Sequence, residues 1–290
     1  MNWLIPAKTF LIGEYSALAE ASALVVLTDP YFQLTVLTEK ALTGIHPESP
    51  AGLWWQQQNP DYGLSWHDPH LGRGGMGASS AQFLGSYLAS CFIKDSVPAL
   101  DQMLGAYYKT SWTGKGLRPS GYDVIAQSQQ GCVYINKQKK VIESYSWPFQ
   151  DLSFFLIHTG IKLATHHHLQ NTDLPDNVDY LSQLVDEAKK AFEYVDPCRL
   201  IKAINGYHQK LASLNLVAEH SLQMIHELKK YPEILAVKGC GALGADVLLI
   251  LTSVHTSQSF AEKLKKQNRT ILATEKNIHF QGQLIQPNLS

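Results

Sequence analysis

Leu71-Gly72-Arg73-Gly74-Gly75-Met76-Gly77-Ala78-Ser79-Ser80 runs without a break into AQFLGSYLASCFI, residues 81–93. The second part has the apolar content of a buried helix, and the first crowds glycines at its mouth. A glycine loop that opens a helix gathers unpaired backbone N–H groups and the positive end of the helix dipole at one point. Such a point suits phosphate. Glycine serves there because a β-carbon would block close backbone approach or a positive φ. On this reading Gly74, Gly75, Gly77 and Ala78 line a phosphate cradle. Ser79 and Ser80 place two hydroxyls at its mouth, able to ligate Mg²⁺ or to cap the helix. The Walker spacing is absent, and no Rossmann strand with G-x-G-x-x-G precedes the loop. The bland alternative is a tight structural connection.

Outward from the loop, the whole chain reads as globular. At ~150 residues per domain, its 290 residues make one large or two modest domains. A hydrophobic content of 45% fills a core and excludes intrinsic disorder. The 24 Lys and Arg nearly balance the 25 Asp and Glu, which excludes a nucleic-acid protein defined by bulk basicity. No apolar run approaches the ~18 residues of a membrane span. Met1-Asn2-Trp3-Leu4-Ile5-Pro6 lacks the basic start of a signal peptide. Cys91, Cys132, Cys198 and Cys240 lie far apart with no C-x-x-C pair, against a disulfide scaffold or a cysteine zinc site. These features lead us to expect a cytoplasmic protein with neither nucleic-acid nor membrane partners.

The elements alternate in kind. Residues 3–26 are apolar and broken by Gly13-Glu14-Tyr15, and 31–38 (YFQLTVLT) read as a strand. Residues 44–70, rich in Pro, Gly, Gln and aromatics, read as hairpins and loops. A second helix is expected from Pro98 to about Trp112, a hairpin over 132–135 and 141–147, and a buried strand over 153–158 (SFFLIH). From 174 to 230 the pattern is helical. Strands at 234–238, 246–252 and 269–274 then enclose a helix at 256–266. A boundary near residue 150 separates a mixed first half from a helix-then-α/β second half.

Four segments resemble the motifs of a known family. Pro6-Ala7-Lys8-Thr9-Phe10-Leu11-Ile12-Gly13-Glu14-Tyr15, Gly75-Met76-Gly77-Ala78-Ser79-Ser80-Ala81 and Lys238-Gly239-Cys240-Gly241-Ala242-Leu243-Gly244-Ala245-Asp246 resemble the three motifs of the GHMP kinases (galactokinase, homoserine kinase, mevalonate kinase, phosphomevalonate kinase). Between them, Pro119-Ser120-Gly121-Tyr122-Asp123-Val124 resembles the segment that carries that family's catalytic aspartate. The segments stand in the family's order. The Gly-Glu-Tyr ending, the Ser-Gly-Tyr-Asp-Val segment and Asp246 look most like phosphomevalonate kinase. Thr159-Gly160-Ile161-Lys162-Leu163-Ala164-Thr165 resembles a stretch shared by phosphomevalonate kinases and mevalonate diphosphate decarboxylases. Leu243 and Ala245 stand where the third motif has glycines.

The resemblance implies an α+β fold of two domains. An ATP-binding N-terminal domain of mixed sheet and helices would span residues 1–150, and a ferredoxin-like domain 151–290, with the active site between them. It implies ATP and Mg²⁺ as cofactors, a small acidic metabolite as substrate, and a monomer or homodimer. Lys8 and Asp123 take the catalytic roles: Asp123 accepts or orients the acceptor's proton, and Lys8 neutralises developing charge. The two would pair if they approach within ~4–6 Å. Glu14, Tyr15, Ser120, Gly121, Lys162, Gly241 and Ala242 are the implied substrate-side residues. Alternatives are a mevalonate kinase, a decarboxylase-like enzyme, or a non-catalytic ligand-binding relative.

Bland readings stand beside these. Alone, Lys8 is a solvated lysine, and Asp123 a turn residue or the N-cap of a helix beginning at Val124. Trp54, Trp55 and Trp66 could wall an adenine or simply pack. Arg73, Lys115 and Arg118 flank the motifs and could meet an acidic substrate. His166-His167-His168 cannot converge on one ion from a helix that turns ~100° per residue.

Overall fold

Eleven residues of β1 (Asn2–Ile12) and fifteen of β2 (Ala23–Leu37) build the spine of a six-stranded sheet. The structure, a computed structural model, describes residues 1–58, 60–161 and 178–280. β1 runs antiparallel to β2 from Asn2 opposite Thr35 to Ile12 opposite Leu24. The register shifts between Ile5 and Ala7, at Pro6, which has no N–H for the ladder. Two strands share the other edge of β2. β5 (Cys132–Asn136) pairs with its first half and β4 (Gly63–His67) with its second. β6 (Val141–Tyr145) extends β5 as the expected hairpin, and β3 (Leu42–Thr43) lies beside β4.

The strand expected at 31–38 is the second half of β2. Its first half, Ala23 to Thr28, is buried on both faces, so no alternation marks it as a strand. Residues 50–57, expected as loop, form helix α1 (Pro50–Gln57). Ser49 caps it, its side chain accepting from the Gly52 N–H, and Pro50 occupies the first turn where a missing N–H costs nothing.

α2 (Ala78–Ile93) and α3 (Leu100–Ser111) follow where the sequence places them. Phe83, Leu84 and Leu88 of α2 share a core with Ile5, Leu34 and Leu64 of the sheet. The short α4 (Tyr122–Gln127) buries Tyr122, Ile125 and Ala126 against Phe10, Val25, Val133 and Ile135 in a second cluster.

The second sheet holds β7 (Leu152–His158), β8 (Ile234–Cys240), β9 (Val247–Ser253) and β10 (Ile271–Thr274) in the order β10-β7-β9-β8. All three pairings are antiparallel. Helices α5 (Val178–Tyr194), α6 (Pro197–Ser213) and α7 (Glu219–Leu228) fall between β7 and β8, and α8 (Val254–Lys266) between β9 and β10. This is the ferredoxin-like arrangement. Alternate residues explain its layers. Phe154, Leu156, Leu249 and Leu251 join the large core with α5 and α6, whereas Phe155, Ile157, Leu248 and Ile250 meet Ile225, Leu228, Phe260 and Leu264 of α7 and α8.

The two sheets are also tied by the chain itself. α5 packs on β2, and His279 returns to the first sheet, its N–H donating to the Leu27 carbonyl. Among the described residues no helix is long and apolar enough to cross a membrane.

Candidate active site

The loop before α2 is shaped by two neighbours that leave no room for side chains. Gly75 and Gly77 have φ of 84° and 81°, the left-handed region that glycine enters freely. A β-carbon on Gly77 would lie 2.6 Å from Lys8 Cγ, and one on Gly75 would lie 2.5 Å from Val247 Cγ2. The aliphatic stem of Lys8 therefore crosses the loop at Gly77, while β9 closes on it at Gly75. Gly77 is the N-cap of α2, and no side chain caps the helix. Its first N–H groups and dipole end are thus left for an anion.

Of the two serines at the mouth, Ser79 is exposed and Ser80 is buried. The Ser80 hydroxyl donates to the Gly77 carbonyl at 3.0 Å, so it stabilises the turn, and Ser79 is the hydroxyl that faces outward.

Lys8 sits on β1, where its backbone N–H donates to the Met76 carbonyl at 3.0 Å. Its ammonium reaches Asp123 Oδ1 at 2.9 Å. The Lys8 side chain is 9% exposed and that of Asp123 33% exposed, so the carboxylate is open to a bound molecule while the ammonium is nearly covered. Asp123 is not an N-cap: α4 begins at Tyr122, and Gly121 (φ 75°) fills the cap position. Ser120 serves this turn twice, its Oγ accepting from the Tyr122 N–H and its carbonyl accepting from the Tyr108 hydroxyl. Tyr107 of α3 also belongs here, its phenol pushed up by burial and then by the charge of Asp123.

The end of the first motif meets the third rather than the loop. Glu14 Oε1 accepts from the Lys238 ammonium at 2.7 Å, with the side chains 5% and 0% exposed. Glu14 Oε2 is buried with no hydrogen-bond partner among the described residues. Lys238 is held protonated: burial lowers its pKa, but the Glu14 carboxylate, together with the Cys240 sulfur that accepts from the ammonium, raises it above the usual lysine value. The Cys240 thiol is pushed up to about 11 by burial, so it stays protonated. Tyr15 accepts at its hydroxyl from the Leu243 N–H, and burial pushes its phenol up. The carboxylate and phenol expected to face substrate are turned inward, holding the third-motif turn.

That turn departs from glycine chemistry at a cost. Leu243 adopts φ 53°, a left-handed conformation that burdens a branched side chain by roughly 1–2 kcal/mol. Gly241 (φ 80°) has open space where its β-carbon would be, so the turn presents bare backbone there. Ala242 follows it in a short 3-10 turn. Thr159 joins the same corner, its hydroxyl donating to the Ala245 carbonyl at 2.6 Å.

Other expected residues lie elsewhere. Lys162 and His166-His167-His168 lie outside the described residues. The three indoles pack: Trp55 donates to the Tyr62 carbonyl, Trp54 to Ser90, and Trp66 stacks on Phe32 at 5.2 Å. Arg118 is paired with Glu20 and lies over Tyr108, and Lys115 is exposed. Arg73 lies close enough to His158 for its charge, after burial, to lower that imidazole's pKa.

Gly77→Ala is expected to cost about 1–3 kcal/mol from the strained backbone and to push Lys8 off the loop. Thermal unfolding read beside nucleotide affinity checks this; an unchanged affinity would show that the loop does not need Lys8 across it.

Solved structures match this fold over nearly its whole length. Streptococcus pneumoniae phosphomevalonate kinase, in complex with phosphomevalonate and AMPPNP, superposes with a TM-score of 0.76 at 12% identity, covering 94% of this chain and 99% of that one. Mevalonate kinase from Methanococcus jannaschii gives 0.71 at 13% identity, covering 94% and 97%. Lactococcus lactis galactokinase, complexed with galactose, gives 0.71 at 11%, covering 93% and 92%. No family model and no curated protein matches the sequence.

Proposed function

From a chain with the GHMP kinase fold, we propose an ATP-dependent kinase of a small acidic metabolite, with phosphomevalonate as the acceptor. The observation that carries this reading is the Lys8–Asp123 pair at 2.9 Å, with the Lys8 stem lying over Gly77 at the uncapped start of α2. Phosphoryl transfer is mostly positioning and charge neutralisation. The arrangement supplies both: backbone donors for a polyphosphate, a cation beside them, and a carboxylate open to the acceptor. The division near residue 150 belongs to the same proposal, with the loop from the first half meeting Asp246 and Val247 from the second.

ATP suits the start of α2, where no side chain caps the helix and its first N–H groups and dipole end face a phosphate. Mg²⁺ suits the outward hydroxyl of Ser79, a hard oxygen donor beside the phosphate site; the ion would supply charge neutralisation of the phosphates. Lys8 then holds the transferring group's charge, and Asp123 orients the acceptor or takes its proton. A phosphate acceptor is already anionic near neutral pH and asks less of Asp123.

Phosphomevalonate is favoured by the Gly-Glu-Tyr ending, the Ser-Gly-Tyr-Asp-Val segment and Asp246. A coupled ADP-release assay across mevalonate, 5-phosphomevalonate and 5-diphosphomevalonate tests it. Turnover on 5-phosphomevalonate alone is the expected result. Turnover on either other compound alone moves the assignment to a mevalonate kinase or a decarboxylase. No turnover with any of them, and no ATP binding, would replace the enzyme with a ligand-binding relative of the fold.

A further inference from the structure

We propose that Gln127 is a positioning residue, whose amide binds the strand of Lys8, the helix of Asp123 and the loop before α2 into one unit. Its functional part rests on the kinase reading; its geometric part does not. Gln127 closes α4 four residues after Asp123, so both side chains lie on one face of the helix. It is completely buried. Its Nε2 donates to the Pro6 carbonyl at 2.8 Å and to the Gly77 carbonyl at 3.2 Å. Pro6 lies at the register shift of β1, two residues before Lys8. Gly77 is the N-cap of α2 and the point where the Lys8 stem crosses the loop. One amide group thus touches all three elements of the candidate site.

The chemistry of the side chain explains its presence better than its volume does. Gln127 Oε1 is buried with no hydrogen-bond partner among the described residues. A buried unsatisfied acceptor is unfavourable, and methionine would fill similar space without it. The two donated bonds are what methionine could not replace. A second tie, from the Lys8 N–H to the Met76 carbonyl, holds strand to loop. The amide adds α4 to that pair. Without it, the described hydrogen bonds and ion pairs leave α4 joined to Lys8 through the partly exposed carboxylate of Asp123.

Two variants test this in the full chain. Gln127→Met removes both donors at nearly constant volume. Gln127→Glu has no donor when ionised and regains one when protonated. In Gln127→Met, loop exchange, read at the backbone amides of Lys8 and Ala81 that donate to the Met76 and Gly77 carbonyls, is expected to be at least about tenfold faster than in the wild type, with β7–β9 unchanged. Turnover should fall about tenfold or more, while KM for ATP moves much less. In Gln127→Glu, loop exchange and turnover relative to wild type at the same pH should recover as pH falls. Loop exchange unchanged in Gln127→Met, with turnover within twofold of wild type, would overturn the proposal. Should that variant fail to fold, a flat pH response in Gln127→Glu overturns it instead. If the wild type transfers no phosphate, the kinase reading fails, and loop exchange alone decides the positioning role.

Discussion

Lys238→Met should lower the free energy of unfolding by about 3–5 kcal/mol, the cost of stripping one partner from a buried ion pair. The pair is Lys238 Nζ on Glu14 Oε1 at 2.7 Å, with Lys238 fully covered. Methionine keeps the stem but leaves the buried Glu14 carboxylate without its cation. Domains are stable by only about 5–15 kcal/mol, so a loss of this size is visible in any denaturant titration. Replacing both partners, Lys238→Met with Glu14→Met, should recover most of the loss, because desolvation of both charges disappears together. A single-variant loss below about 1 kcal/mol would show that this pair behaves like an exposed one. The pair also fixes the Gly13-Glu14-Tyr15 turn against the third-motif turn, where Tyr15 accepts from Leu243. The double variant should therefore be folded and yet bind its acceptor more weakly.

Asp123→Asn and Lys8→Met carry the largest expected effects on turnover. With a hydroxyl acceptor, loss of a positioned base costs about 10²–10⁴-fold, and Asp123→Asn should be the more damaging change. With a phosphate acceptor the attacking oxygen is already anionic, and losing the Lys8 charge should cost at least as much. The second pattern is expected, since phosphomevalonate is the proposed acceptor. Methionine is the apt replacement at Lys8 because an unbranched stem still covers Gly77. Folding and ATP affinity should change little in either variant. Steady-state kinetics on the three acceptors, with circular dichroism as the folding control, measures the outcome. If Lys8→Met keeps near wild-type turnover on every acceptor, Lys8 has no part in the chemistry.

Signals confined to a few neighbouring residues are legible in the amino-acid sequence. The glycine-rich opening of α2 announces itself, because positive φ and close approach demand glycine locally. β7 and β5 are short apolar runs bounded by turn residues, and β6 follows β5 across the polar turn at residues 137–140. α1 carries a readable start, Ser49 followed by Pro50, hidden by a composition that resembles loops. The first half of β2 has no such signal, since a strand buried on both faces loses its alternation.

By itself the sequence determined the order of motifs, the glycine loop, and which lysine and aspartate to watch. The tertiary structure decided which residues share a site and which way each one turns. The sequence pairs Lys8 with Asp123 only on condition that they approach, and their 2.9 Å contact is a product of β1 and α4 packing together. Glu14 was expected beside substrate, yet a lysine 224 positions later takes its carboxylate. Gln127 gave no sign at all, because an amide acts through the carbonyls it happens to reach. Tyr107 likewise reads as one more aromatic on a helix until Asp123 is placed near it. Backbone preferences are local and are written in neighbouring residues. Pairings of charge and hydrogen bond span the chain, and they exist only once folding has brought their partners together.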